Sequence, residues 1–403
     1  MKRIGIFMVY IFCLTGFRPL EAKEYNILDF GAVSDTGKLS TQAVQQAIDA
    51  CHAAGGGMVL VPAGHFKIGS IVLRSYVDLH LESGAVLLGS KKLEDYIKLK
   101  PAYTSLRTQE ATIQLIYAEN AEQISITGLG EIDGQGSGFK KLDWNDEGIT
   151  RPHLLRFITC TRVKIENISM KNAGCWMQHY LACENVQIRN IRVFNRNNYN
   201  NDALDLDGCR NVTVSGLIAD SDDDGITLKS TSPKPCENIS ISNCVVSSRC
   251  NAIKMGTESN GGFRNISISN CVVKPSKAEA PGFFGQDGGT SAISLEIVDG
   301  GIMEGISISN IQVEGTEAPI FIRLGNRARS WKKDLPVDHV GELADVSISH
   351  VRVIRAGKTA CSITGQPGYP VRNIRLSHIV VQSEGTGTAA DFNREVAYLP
   401  RDY

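Results

Sequence analysis

A short alternating strand that follows a turn-forming pair recurs along this chain. It appears as TRVKIENISM, ENVQIRNIRV, RNVTVSGLIA, ENISISNCVV, RNISISNCVV, EGISISNIQV, ADVSISHVRV and RNIRLSHIVV. The repeats begin near Val163, Val186, Val212, Ile239, Ile266, Ile306, Val346 and Ile374. This spacing is too long for hairpins and right for a solenoid, whose coils bury their apolar faces only against one another. Period-2 alternation of Ile and Val with Ser, Asn and Thr specifies strand, not helix. No helical segment separates the repeats, so βαβ units are excluded. The predicted fold is all-β: a single-stranded right-handed parallel β-helix. Its stacked outward side chains would form a long groove, a shape suited to an extended polymer.

Residues 1–22 read as an export signal, with Lys2 and Arg3 before an apolar core over Ile4–Leu14 and a cleavage site at Leu20-Glu21-Ala22. The alternative, a membrane anchor, is disfavoured because the apolar stretch is short and Gly16, Arg18 and Pro19 break it. Residues 23–403 are then expected to form one exported, monomeric solenoid domain, periplasmic or secreted. A formal net charge of -1, spread evenly, argues against nucleic acid or membrane as partner. An exported chain rich in cysteine invites a disulfide reading. Yet Cys244 and Cys271 both end an ISISNC run, and Cys160, Cys183, Cys209 and Cys236 all fall just before a strand. Stacked equivalents of this kind suit buried core fillers, so mostly free thiols are expected.

Ahead of the repeats, Val44, Ala47, Ile48 and Cys51 share one helical face, and Gly55-Gly56-Gly57 ends that helix. An amphipathic helix there would plug the first open edge of the solenoid. Beyond Val381 the chain has no strong apolar periodicity. Either a loose tail covers the last coil, or the chain is shortened at this end.

Three successive coils hold the candidate chemistry: NNDALDLDG (200–208), DSDDDGITLKS (220–230) and RCNAIKMGTES (249–259). Strand parity sends Leu204 and Leu206, Ile226 and Leu228, and Ile253 and Met255 inward, leaving Asp205, Thr227 and Lys254 outward. Asp202, then Asp223 and Asp224, then Asn251 occupy the turns that enter these strands. With coils about 4.8 Å apart, the Asp202 carboxyl lies one coil from the Asp223/Asp224 pair. Crowded carboxylates repel, so at least one should have a raised pKa. Paired carboxyls about 6.5–9.5 Å apart hydrolyse glycosidic bonds with inversion, one protonating the leaving oxygen and the other activating water. Asp and Asn are also common as turn residues in their own right, and clustered carboxylates suit a calcium ion as well.

NAGCWMQHY (172–180), NNDALD (200–205) and DDDGITLKS (222–230) occur in that order and resemble the polygalacturonase-type family of pectin-degrading glycoside hydrolases. The opening YNILDFGAV and the AGGG…VPAG run (54–64) resemble the same family. The resemblance covers nearly the whole chain after residue 22. It implies Asp223 as general acid, with Asp202 and Asp224 positioning and deprotonating the water, and no metal or cofactor. It places Trp176 and His179 in the coil beneath, as site residues or as packing.

The departures from that family are equally specific. Its third-coil G-H-G reads Cys250-Asn251-Ala252 here, so Asn251 stands where a His assists the acid. Its cationic R-I-K, which holds a galacturonate carboxylate, is replaced by Ser294, Leu295 and Glu296. Glu296 would repel an anionic sugar. Arg323, outward on the next coil by parity, would pair with Glu296 or bind substrate. Lys254 is a further substrate-binding candidate. Glu258, in the Gly-rich stretch MGTESNGG, is either a sugar contact or a solvated acid. The expected substrate is a branched or mixed pectic glycan of rhamnogalacturonan type rather than plain homogalacturonan. Two other readings stay open at this point: a calcium-dependent lyase or epimerase with Lys254 or Arg249 as base, and a non-catalytic glycan-binding solenoid.

Overall fold

The computed structural model describes residues 23–140, 148–276, 289–357 and 361–383, with the single residues 359, 388 and 390. It is a right-handed parallel β-helix, as the repeat predicts. Each coil contributes one strand to a sheet that carries the polar motifs, and further strands to a long second sheet opposite. In the second sheet Val163, Val186, Val212, Ile239, Ile266, Ile306, Val346 and Ile374 stack in one register. All but the last are essentially buried, in a core that runs the length of the solenoid.

The turn-forming residues also stack. Asn185, Asn211, Asn238 and Asn265 adopt left-handed backbone conformations at φ of 57°, 57°, 57° and 50°. Asn tolerates this region because its side chain bonds locally. Here the amides pass hydrogen bonds from coil to coil, at 3.2, 3.1 and 2.8 Å. The turn chemistry is therefore itself a ladder that locks the register.

Helix α1 (Thr41–Ala53) buries Ala43, Val44, Ala47, Ile48 and Cys51 and caps the first coil, as expected. The ten described cysteines are all free thiols, nine of them buried, which is the core-filling role their spacing implies. At the other end, the strand Arg372–Ser383 pairs on one side only and is largely exposed. The segment expected to cover it falls almost wholly outside the described residues, and so does the export signal at 1–22.

Candidate active site

The polar motifs lie on consecutive strands of the shorter sheet: β1 (His153–Ile158), β2 (Gln178–Leu181), β3 (Leu204–Asp207), β4 (Ile226–Ser230), β5 (Asn251–Ser259), β6 (Ser291–Ile297) and β7 (Ala318–Leu324). Their register aligns His179, Asp205, Thr227, Lys254 and Ser294 in one column. The strand-entry turns stack with them. Met177 N donates to Asp202 O at 3.0 Å, Ala203 N to Asp224 O at 3.0 Å, and Gly225 N to Asn251 O at 2.8 Å. Asp202, Asp224 and Asn251 therefore sit at equivalent points of successive coils, as parity predicts. Gly225 makes this approach possible, because a Cβ there would lie 2.5 Å from Ala252 O.

The three aspartates differ in setting. Asp202 and Asp224 are buried, whereas Asp223 is partly exposed. The Asp223 carbonyl accepts from Ser221 Oγ at 3.0 Å and Ser248 Oγ at 2.6 Å, which pins its backbone. Asp224 Oδ1 accepts from Asn251 Nδ2 at 2.8 Å, and its Oδ2 accepts from Lys254 Nζ at 2.9 Å. Burial pushes the Asp224 carboxyl up, but Lys254, Lys229 and the Asn251 amide outweigh it and hold Asp224 below the usual carboxylate range. A raised carboxyl is found within the strand, at Asp205. Burial and the neighbouring Asp202 raise it well above its ordinary value, against the pull of Lys229.

Lys229 joins these groups. Its Nζ lies 3.6 Å from Asp202 Oδ2, 3.5 Å from Asp205 Oδ1 and 3.7 Å from Glu258 Oε2. Burial opposes its charge, but Glu258, Asp205, Asp202 and Asp224 together raise its pKa.

The remaining candidates divide. Trp176 and His179 are both buried and pack edge to face, with ring centroids 5.0 Å apart. Arg107 and Lys229 lie over the indole at 4.9 and 4.8 Å. His179 Nε2 is 3.1 Å from Asp207 Oδ2, and burial, partly offset by Asp207, lowers its pKa to about 4. Asn251 is wholly buried, and its Oδ1 accepts from Ser291 Oγ at 2.7 Å. Its side chain therefore bridges Asp224 and Ser291. Glu296 faces Arg323 in the register, is buried, and accepts from Ser294 Oγ at 2.8 Å. Burial raises its pKa, which weakens the repulsion of an anionic sugar expected from its charge.

Of the two readings open for Glu258, burial excludes the solvated acid. Glu258 is a buried residue of β5. Arg107 and Arg329 each donate to its Oε1 at 2.6 Å. Burial pushes its carboxyl up, yet Lys229, Arg107, Arg329 and Arg327 bring it well below the usual range. Two long segments meet here. The one around Arg107 also donates from Leu106 N to Thr231 O at 2.8 Å, and Gln109 Nε2 reaches Trp331 O at 3.5 Å. They form a wall along one flank of the groove. Sequence reasoning missed Asp205, Lys229 and Arg107 as site residues. Parity did place Asp205 outward, but it is buried, beside Lys229 and Asp202.

Asp223, Asp224 and Cys250 offer donor atoms within 4.8 Å of one another. Calcium needs six or more hard oxygens. Here one donor is a thiol, and both oxygens of Asp224 already hold Asn251 and Lys254. The set fits proton handling better than a hard cation. Lys254 and Arg249, the bases an elimination would need, are ion-paired to Asp224 and Asp222 at 2.9 and 2.5 Å.

Comparison with known proteins agrees with this arrangement. The profile described as "Glycosyl hydrolases family 28" matches residues 51–397. The chain belongs to glycosyl hydrolase family 28. It is 30% identical over 233 residues to a "Probable polygalacturonase" of Vitis vinifera, covering 53% of this chain and 48% of that one. It is 28% identical over 256 residues to an exo-poly-alpha-D-galacturonosidase of Dickeya chrysanthemi, covering 51% and 42%. The chain thus spans about half the length of the curated relatives it matches, or less. Among solved structures it resembles a family 28 exopolygalacturonase of Yersinia enterocolitica, with TM-score 0.73 and 19% identity over 91% of this chain and 76% of that one. It also resembles an endo-xylogalacturonan hydrolase of Aspergillus tubingensis, with TM-score 0.65 and 17% identity over 90% and 93%. These two likenesses establish the shared fold.

Proposed function

We propose that this family 28 member hydrolyses a glycosidic bond of a pectic glycan by single displacement with inversion. The observation that carries the reading is the convergence of Asp202, Asp223 and Asp224 on two adjacent coils, with Lys254 paired to Asp224 at 2.9 Å. Asp223, the most accessible of the three, gives its proton to the glycosidic oxygen as the bond to the leaving sugar breaks. Asp202, beside Lys229, and Asp224, beside Lys254, orient a water and take its proton as the water oxygen bonds to the anomeric carbon. A charged Asp224 is available even in mildly acid solution, because its partners favour the carboxylate.

The substrate is a rhamnogalacturonan-type or otherwise branched pectic glycan rather than plain homogalacturonan, since no R-I-K cations face the groove at Ser294–Glu296. The sequence relatives, a probable polygalacturonase and an exo-poly-alpha-D-galacturonosidase, support the pectic class. The protein acts outside the cell, exported by residues 1–22, as a single-domain monomer over 23–403. Product analysis on a panel of pectic polysaccharides tests this, with Asp223→Asn in parallel and with and without chelator. New reducing ends without unsaturated ends, lost in Asp223→Asn, are expected. Unsaturated, chelator-sensitive products would replace hydrolysis with elimination.

A further inference from the structure

One buried charge in the groove, Arg156, has no direct ion-pair partner among the described residues, and Asp207 acts on it only from a distance. Arg156 is 1% exposed. Its guanidinium donates to Thr112 Oγ1 and, at 2.5 Å, to Arg107 O, both neutral acceptors. Its Nε has no hydrogen-bond partner, and among the described residues no carboxylate pairs with it. A buried cation without a counter-charge is costly, and proteins usually pair it or bind an anion to it. Arg156 lines a cavity of about 290 Å³ together with Arg107, Thr112, His153, Trp176 and His179. Arg107 is paired with Glu258, a carboxylate it shares with Arg329 and Lys229, and the one acid of the lining, Glu110, is exposed. The volume lies at the lower end of the roughly 300–1,000 Å³ typical of small-molecule sites, which suits a single sugar unit.

The cavity adjoins the aspartates. Leu154 N donates to Trp176 O at 3.2 Å and Met177 N to Asp202 O at 3.0 Å, so its lining lies on the two coils N-terminal to Asp202, with Trp176 and His179 on the nearer and His153 and Arg156 on the farther. The Nδ1 atoms of His153 and His179 are buried and unpartnered in the same lining. Burial lowers both imidazoles, so they add no further charge to the lining.

We infer that this cavity is an acid-sugar subsite in which Arg156 receives the carboxylate of a uronate unit. Recognition of the anionic sugar is thereby moved to the N-terminal side of the aspartates, opposite the side on which the R-I-K cations are missing. A guanidinium matches a carboxylate with directed, charge-assisted hydrogen bonds. The inference rests on the glycan-hydrolase reading only for the choice of sugar.

The test is binding of D-galacturonate and D-galactose to the full chain by titration calorimetry, with hydrolysis followed separately. The wild type should bind galacturonate at least tenfold more tightly than galactose. Arg156→Gln should abolish that ratio and Arg156→Lys should keep part of it. Equal binding of the two sugars, no binding of either, or a preference that survives Arg156→Gln would overturn the inference. Should Arg156→Gln fail to fold, the wild-type ratio decides, together with a rise in Tm given by galacturonate and not by galactose. Hydrolysis without acid preference overturns the subsite alone, and acid preference without hydrolysis overturns the hydrolase alone.

Discussion

Asp223 and Asp224 are neighbours in the chain but not equivalents, and the difference lies in what each touches. Asp224 is sealed between Asn251 and Lys254, while Asp223, its carbonyl held by Ser221 and Ser248, is partly exposed. Replacing Asp223 by Asn should lower kcat by about 10²–10⁴-fold, the usual loss when a general acid is removed, with folding unaffected by circular dichroism. Lys254→Met should act differently. Removing the cation beside Asp224 lets burial raise that carboxyl, so the acid limb of the kcat/KM profile should move to higher pH. An unmoved limb would show that Lys254 does not set the charge of Asp224. The aspartates were legible in the sequence because the repeat puts turn residues at equivalent points, so spacing alone brings Asp202 and Asp224 together. Glu258 was not, because its partners Arg107 and Arg329 stand 151 and 71 residues away on segments with no repeat.

At the scale of strands and coils, each coil is stable only through its neighbours, so a residue's energetic weight depends on its place in the stack. Ile266 is buried between coils on both sides, whereas Ile374 belongs to the last described strand and is only partly covered. Ile266→Ala should cost about 2–5 kcal/mol, the range for truncating a buried aliphatic side chain. Ile374→Ala should cost clearly less, both read from urea denaturation. Equal costs would mean that residues beyond 383 bury Ile374 as fully as an internal coil would. The strands and the cap were readable for a simple reason. Their period-2 and helical patterns report which side chains face one continuous core. The flank wall was not readable, since an irregular segment carries no period from which to infer what it covers.

Across the whole molecule, two buried acids pull stability in opposite directions with pH. Glu258 has a depressed pKa, so its contribution is present above the ordinary glutamate value and lost as pH falls through the folded-state value. Asp205 has a raised pKa, so the native state keeps a proton that the unfolded chain releases, and stability falls as pH rises above the ordinary aspartate value. Asp205→Asn should therefore raise stability at pH 8 by about 1 kcal/mol, the common scale of a single substitution. It should leave the acid side of the profile unchanged. A decline toward pH 8 that persists in this variant would assign it to another group. Taken together, the charges and the coil geometry support single-displacement hydrolysis by Asp202, Asp223 and Asp224. The most direct measurement is proton NMR of the first product released from a pectic oligosaccharide of known linkage, recorded before mutarotation. The anomer opposite to the linkage cleaved should appear first. Release of the retained anomer would rule out single displacement, and release of an unsaturated sugar would rule out hydrolysis.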